Sequence, residues 1–174
     1  MIPTDPFVAV IMGSDSDLPV MQTTLDTLTK LGVKHEVKIS SAHRTPQATH
    51  DYVRDAEERG CVVFIAAAGL AAHLAGTIAS LTLRPVIGVP MDGGPLQGMD
   101  ALLSTVQMPG GIPVGCMAIG KPGAKNAAYF AAQIVALCDN KLRKRLQKDR
   151  EAQAEDVRAK DAALRRDDDE EEES

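Results

Sequence analysis

A histidine and an arginine that stand side by side, His43 and Arg44, are the residues of this sequence best suited to chemistry. They lie in the polar stretch 41–46, directly before a predicted helix. Imidazole can donate and accept a proton near neutral pH, and a guanidinium binds phosphate or carboxylate through parallel N–H groups. The pair therefore predicts proton transfer beside a bound anion, although such a histidine can also cap a helix or pack under a loop.

The segment Gly-Ser-Asp-Ser-Asp at 13–17 suits a phosphorylated sugar. It leads into a predicted helix, whose free backbone N–H groups and dipole attract anions. Ser14 and Ser16 add hydroxyl donors, whereas the Asp17 carboxylate repels phosphate but accepts hydrogen bonds from sugar hydroxyls. Serine and aspartate are also favoured helix caps, and the segment matches neither a dinucleotide-binding fingerprint nor a P-loop.

A third segment, 67–73, consists mostly of small residues and ends in a histidine. Gly69 and the neighbouring alanines leave little bulk, so the backbone can approach a flat ligand closely. His73 can hydrogen-bond a substrate group or serve as a structural histidine. Because His43 and His73 lack a nearby carboxylate or cysteine partner, no metal site is predicted.

Apolar patterning places each of these segments directly after a predicted β-strand. Residues 7–12 form a continuous apolar run, typical of a strand buried on both faces, whereas 35–39 alternates as a more exposed strand does. Apolar residues three and four apart predict a helix that begins at Leu18 and ends at Gly32. The other predicted strands are 61–66, 85–89 and 113–119, and the other helices are 46–59, 71–81, 99–106 and 124–138.

Strands and helices that alternate at this spacing predict an α/β fold of parallel βαβ units. A five-stranded, doubly wound, flavodoxin-like sheet of order 2-1-3-4-5 fits the pattern, with three layers and an extra C-terminal helix. Strands two, one and three are then neighbours, and their carboxyl ends meet at one edge of the sheet. We therefore expect the three polar segments to line a single crevice.

The composition excludes several classes of protein. Of 174 residues, 44% are hydrophobic and 25% are charged, as in an ordinary soluble domain. Aromatic residues make up 3%, too few for a base-stacking nucleic-acid surface. The sequence has no apolar run of membrane-spanning length and no signal-peptide pattern at its start. The cysteines are three and widely spaced, so we expect free thiols and a cytoplasmic location.

With these segments in order, the sequence closely resembles the class I 5-(carboxyamino)imidazole ribonucleotide mutases of purine biosynthesis, the PurE family. The matching stretches cover nearly all of residues 7–138, and SAHRTP combined with GSDSD and AAHLAG at these separations is highly specific. They read MGSDSDLPVM (12–21), SAHRTP (41–46), AAAGLAAHLAG (66–76), PVIGVP (85–90), LLSTVQMPGGIPVG (102–115) and AIGKPGAKNAA (118–128).

The resemblance implies an isomerase that moves a carboxylate from the exocyclic amine of an aminoimidazole ribonucleotide to the neighbouring ring carbon. The family reaction passes through decarboxylation, trapped CO2 and recarboxylation, without cofactor, metal or ATP, in a homo-octamer. His43 matches the catalytic histidine that shuttles the proton. Ser14, Asp17 and Arg44 match ribotide-binding positions, and Ser16, Ser41, Ala42, Gly69 and His73 match flanking active-site positions.

Two residues depart from the family pattern. Where the family commonly reads A-G-G-A-A-H-L-P-G, this sequence has Leu70 for a glycine and Ala75 for the proline. Leu70 adds bulk beside the crevice, so a backbone conformation normal for glycine must be tolerated there. Ala75 only relaxes a helix turn, and neither change removes a catalytic group.

Two other functions compete with the mutase. Class II relatives carboxylate aminoimidazole ribonucleotide directly with CO2 and usually carry S-A-H-K and A-G-R-S-N loops, whereas Arg44 and residues 71–73 match the mutase. A non-catalytic nucleotide- or phosphate-binding module of flavodoxin type is the second alternative. Such a module would keep its function after loss of His43.

The charge pattern divides the chain near residue 140. Residues 1–140 are predicted to form a single α/β catalytic domain, and 141–166 a charged C-terminal helical arm. Residues 167–173 are all acidic, so 167–174 is predicted to be a disordered tail.

Overall fold

The computed structural model describes residues 5–172 of the chain, with side chains over 5–164. Strands and helices alternate along it, as the sequence predicts. The strands are β1 (Phe7–Met12), β2 (His35–Ile39), β3 (Cys61–Ala68), β4 (Val86–Pro90) and β5 (Gly115–Cys116). The α-helices are α1 (Leu18–Leu31), α2 (Pro46–Glu58), α3 (Leu74–Leu81), α4 (Met99–Val106), α5 (Gly120–Val135) and α6 (Asn140–Glu172).

The strands pair in parallel within one five-stranded sheet of order β2-β1-β3-β4-β5, which confirms the predicted order. Val10 of β1 is in register with Val37 of β2 and Ile65 of β3, and Ile65 is in register with Ile87 of β4. Parallel strands have their carboxyl ends at the same edge of a sheet. The segments that follow β1, β2, β3 and β4 therefore emerge side by side.

The two faces of β1 explain the three layers. Val8 and Val10 belong to a buried cluster with residues of α1 and α5, whereas Ala9 and Ile11 belong to a second cluster with residues of α2 and α3. Alternate residues of a strand point to opposite faces, so helices cover both faces of the sheet. A strand covered in this way needs the continuous apolar run that the sequence shows in β1.

Several element boundaries differ from the sequence prediction; β3, for example, continues to Ala68 instead of ending at 66. The β5 strand comprises two residues instead of 113–119, because it lies at the sheet edge and Pro113 has no N–H to donate. Helix α3 begins at Leu74 rather than at 71, because the chain before it turns more tightly than a helix: the His73 N–H donates to the Ala71 carbonyl at 2.8 Å. His73 consequently stands just before α3 and not within its first turn. Helix α5 begins earlier than predicted, at Gly120.

The C-terminal helix α6 extends further than the sequence predicts. Its backbone is helical over the predicted arm, 141–166, and remains so over 167–172, where the acidic run predicts disorder. The end of the predicted tail, 173–174, lies outside the described residues. No helix within 5–172 has the length and apolar character needed to cross a membrane.

The first half of α6 is anchored to the rest of the fold. The Leu142 side chain is buried, and Nε of Arg145 donates to the carbonyl of Leu31 at 2.7 Å. The Asp149 carboxylate, only 8% exposed, accepts hydrogen bonds from Nζ of Lys30 at 2.5 Å and from the Tyr129 hydroxyl at 2.7 Å. These contacts join α6 to α1 and α5.

Removing the carboxylate charge of Asp149 is expected to weaken this anchor. Asp149→Asn should lower the free energy of unfolding by about 1.5 kcal/mol, because hydrogen bonds to a charged group contribute about that much. The hydrogen bond from Lys30 lowers the pKa of the Asp149 carboxyl. The stabilisation should therefore be complete above about pH 4 and disappear as the pH falls through the lowered pKa. Urea unfolding of both proteins at neutral and acid pH measures the difference.

Asp156→Asn is the matched control on the same helix. Asp156 pairs with Lys160 at 2.6 Å, but its side chain is 61% exposed, so its replacement should cost less than about 0.5 kcal/mol. Equal losses of stability in the two variants would contradict the anchoring role of Asp149.

Candidate active site

A cavity of about 690 Å³ opens at the carboxyl edge of the sheet, lined by residues from the segments after β1, β2, β3 and β4. This crevice brings together every residue that the sequence analysis singled out as a site residue. They are Ser14, Ser16, Asp17, Ser41, Ala42, His43, Arg44, Gly69 and His73.

The segment after β1 forms a tight polar turn. Ser14 precedes a short 3-10 turn (Asp15–Asp17), and its hydroxyl accepts hydrogen bonds from the backbone N–H of Ser16 at 3.3 Å and the hydroxyl of Ser16 at 2.9 Å. Helix α1 follows at Leu18. Ser14 therefore caps this turn, as serines commonly do, and both serines line the crevice.

Asp17 lies half-buried at the end of this turn. Burial raises the pKa of its carboxyl, and the negative charge of Asp15 adds to the increase, whereas hydrogen bonds from Ser14 and Ser16 lower it. A partly desolvated carboxylate is stabilised by donors such as hydroxyl groups and destabilised by a second anion. The environment of Asp17 therefore favours a neutral hydroxyl ligand.

The segment after β2 is held by hydrogen bonds around Ser41. The backbone N–H of Thr45 donates to the Ser41 carbonyl at 2.8 Å, and the backbone N–H of Arg44 donates to the Ser41 hydroxyl at 3.2 Å. Thr45 occupies the capping position of α2, but its hydroxyl accepts from the Ser41 N–H at 3.0 Å and makes no bond to a helix N–H. The turn thereby fixes His43 and Arg44 at the crevice.

The Arg44 guanidinium is oriented across the crevice toward the first segment. Its Nη2 donates to the Gly13 carbonyl at 3.3 Å, and within residues 5–164 it forms no ion pair. A guanidinium carries five N–H donors, so most of them are left for an anion bound in the crevice.

His43 and His73 contact each other directly. Nε2 of His43 lies 2.7 Å from Nδ1 of His73, and the rings meet edge to face with their centroids 4.8 Å apart. In such a bond one nitrogen donates the proton and the other accepts it, so at least one ring is neutral while the bond lasts. Nδ1 of His43 and Nε2 of His73 have no hydrogen-bond partner within the described part of the chain. The pair can therefore take up or release a proton on its crevice side.

The segment after β3 forms a wall with little side-chain bulk. Gly69 lies so close to Met91 that a Cβ at position 69 would stand 3.3 Å from the Met91 Cβ. The backbone N–H of Ala72 donates to the Ser104 hydroxyl of α4 at 3.0 Å, which ties the segment to its neighbour. The close approach of this backbone to a flat ligand stays a prediction.

The fourth segment of the crevice, the one after β4, was not predicted from the sequence. It contributes Met91, Asp92, Gly93 and Gly94. The signal was present: β4 was predicted as a parallel strand, so the segment after it must emerge at the same edge. Leu70 and Ala71 also line the crevice, although no binding role was predicted for them. Among the described residues, no three His, Cys, Asp or Glu side chains are grouped as a metal site requires.

Comparison with known proteins decides the family. The family profile described as AIR carboxylase matches residues 7–156, which include the whole sheet and every segment of the crevice. The chain belongs to the AIR carboxylase family. The crystal structure of Treponema denticola PurE has a similar architecture: it matches this chain with a TM-score of 0.83 and 27% identity, covering 91% of this chain and 98% of that chain.

Several curated proteins are about half identical to this chain. The protein of Pyrococcus abyssi is 53% identical, over 84% of this chain and 83% of its own length. That of Escherichia coli K12 is 52% identical, over 86% of this chain and 89% of its own length. That of Bacillus subtilis is 51% identical, over 84% of this chain and 90% of its own length. Each is named N5-carboxyaminoimidazole ribonucleotide mutase.

Binding of ribose 5-phosphate tests the crevice without any reaction. Arg44→Ala is expected to weaken it about tenfold or more, since a hydrogen bond to a charged group contributes about 1.5–3 kcal/mol. Ribose without the phosphate should bind the variant and the unmodified protein equally. Isothermal titration calorimetry measures both ligands.

Arg54→Ala supplies the matched control, because Arg54 is an exposed arginine of α2 that does not line the crevice. Its loss should leave both affinities unchanged. If Arg44→Ala weakened ribose as much as ribose 5-phosphate, Arg44 would not be the phosphate ligand.

Proposed function

We propose that this chain converts 5-(carboxyamino)imidazole ribonucleotide into 4-carboxy-5-aminoimidazole ribonucleotide, as an isomerase of purine biosynthesis. The observation that carries the proposal is the contact between His43 and His73 beside Arg44, in the crevice of a chain 51–53% identical to enzymes named as mutases of this substrate. A proton carrier and an anion ligand are the two functions that the reaction requires of the protein.

The reaction breaks one bond and forms one, with no net oxidation. The bond between the exocyclic nitrogen and the carboxyl carbon breaks, CO2 leaves, and the nitrogen keeps the electron pair and takes up a proton. The neighbouring ring carbon then attacks CO2, and the proton on that carbon is released. One proton is taken up and one is released, so a single acid–base group is sufficient.

His43 is the proposed acid–base group. It lines the crevice, and its bond to His73 restricts the orientation of the imidazole ring. That bond also allows the charge of an added proton to be shared between the two rings. General acid–base catalysis contributes about 10²–10⁴ to the rate, and confinement of CO2 beside the ring carbon must supply much of the remainder.

The ribotide is proposed to lie across the first two segments. Arg44 and the Ser16 region bind the phosphate, and the Asp17 carboxylate accepts hydrogen bonds from the ribose hydroxyls. The burial that raises the pKa of Asp17 supports this division, because a partly desolvated carboxylate would disfavour an adjacent phosphate. Ser14 and Ser41 support the two turns, and Ala42 and Gly69 leave room for the planar imidazole.

Assembly into a homo-octamer is part of the proposal. Several apolar side chains on α4 and in the loop before it are exposed in a single chain: Leu96, Met99, Leu103 and Val106 are each 48–60% exposed. Met99, Leu103 and Val106 are four and three residues apart and so share one face of α4, and an exposed apolar face is typical of contacts between chains. We also propose that the enzyme acts in the cytoplasm, with CO2 as the transferred fragment and no cofactor.

Kinetics of a His43 variant test the function. The purified protein should convert the carboxyamino substrate without added ATP or metal, and His43→Asn should lower the turnover number by about 10²–10⁴. Substrate affinity should change little, because Arg44 and Asp17 are proposed to hold the ribotide. Ultraviolet absorbance follows formation of the product.

His50→Asn is the control, since His50 lies on α2 and does not line the crevice. Its activity should equal that of the unmodified protein. Full activity of His43→Asn would exclude His43 as the proton carrier. If the unmodified protein folded and bound the ribotide but showed no turnover, it would be a non-catalytic binding module.

A further inference from the structure

Leu70 has an unusual backbone conformation in the wall of the crevice. Its φ of 56° lies in the left-handed region, which is sterically unfavourable for a leucine and persists only where surrounding contacts impose it. Contacts on both sides of Leu70 do so here. The Ala68 carbonyl accepts from the Met91 N–H at 2.9 Å, and the Ala72 N–H donates to the Ser104 hydroxyl at 3.0 Å.

The Leu70 side chain, 53% exposed, reaches the segment after β4, and both Leu70 and Gly94 line the cavity. A Cβ built on Gly94 would stand 2.4 Å from Cδ2 of Leu70, so the leucine occupies the space that a side chain at position 94 would need. Gly94 also has a φ of 81°, which favours glycine. Leu70 and Gly94 therefore fit together and bridge the segments after β3 and β4.

We propose that Leu70 and Gly94 form an apolar latch that retains CO2 in the crevice between its release and its capture by the ring carbon. The inference rests on the proposed function, which makes CO2 a free intermediate. CO2 is small and uncharged, so no ion pair can hold it, and escape through any gap competes with carboxylation of the ring carbon. A branched apolar side chain across that gap blocks the exit and excludes water.

Leu70 is accordingly a positioning residue and not a catalytic one. The latch lies apart from the proposed phosphate and ribose ligands, Arg44 and Asp17, and carries no group that could move a proton. Its loss should therefore alter the fate of CO2 without abolishing substrate binding or decarboxylation.

Leu70→Gly tests the latch, because glycine adopts a φ of this sign without steric cost and the fold should be retained. Substrate labelled with ¹³C in its carboxylate is turned over in unlabelled bicarbonate, with a sample lacking enzyme as background. The fraction of turnovers that end in free aminoimidazole ribonucleotide should rise about fivefold or more in the variant. The ¹³C content of the carboxylated product should fall in parallel.

Two further variants separate apolar bulk from backbone conformation. Asparagine tolerates a left-handed φ but is polar, so the Leu70→Asn variant should lose as much CO2 as the Leu70→Gly variant. The Leu70→Met variant should retain CO2 nearly as well as the unmodified protein. Unchanged leakage in both Leu70→Gly and Leu70→Asn would overturn the latch and leave the proposed function standing. Absence of turnover in the unmodified protein would overturn the proposed function, and the latch with it.

Discussion

The parallel pairing of β1 with both β2 and β3 is the constraint on which the rest of the site depends. It continues past the strand ends: the N–H of Gly13 donates to the Ala67 carbonyl at 3.0 Å, and the N–H of Ser40 donates to the Met12 carbonyl at 2.9 Å. The first residues of each polar segment are thus held by the sheet itself. A shift of one residue in this register would turn alternate side chains to the opposite face and separate the groups of the crevice.

Because backbone hydrogen bonds fix the segments, their functional side chains are left largely available to a ligand. Arg44 makes one hydrogen bond to a carbonyl and no ion pair within residues 5–164, and the two histidines bond to each other. Small residues such as Gly69 allow the backbone to form the wall without occupying the cavity. The polar groups of the crevice are therefore positioned before a ligand arrives, which reduces the entropy lost on binding.

The sequence predicted the fold well where a local signal and the tertiary environment agree. The continuous apolar run of β1 and its ending before Gly13 predicted that strand to the residue, and the left-handed Gly32 ends α1 where expected. The rule that parallel strands end at one edge then predicted which segments meet. Membership of the family followed from the motifs of those same segments.

The features that the sequence did not predict arise from contacts between distant residues. The late start of α3 reflects an irregular segment before it, in which Leu70 has a left-handed φ and the Ala72 N–H donates to the Ser104 hydroxyl of α4. The short β5 reflects its place at the sheet edge, which no local pattern specifies. The 2.7 Å contact between His43 and His73 depends on the spacing of two strands and was not visible in either motif alone. The role of the segment after β4 was overlooked although the same edge rule applied to it.

The most direct test of the account is which carboxyl source the protein uses. Two ultraviolet assays of the purified chain would run in parallel, without ATP or metal: one with 5-(carboxyamino)imidazole ribonucleotide at low bicarbonate, the other with aminoimidazole ribonucleotide at high bicarbonate. Efficient conversion in the first assay, with much slower conversion in the second, is the predicted result. Turnover confined to the second assay would identify the chain as a direct carboxylase and contradict the proposed mutase function.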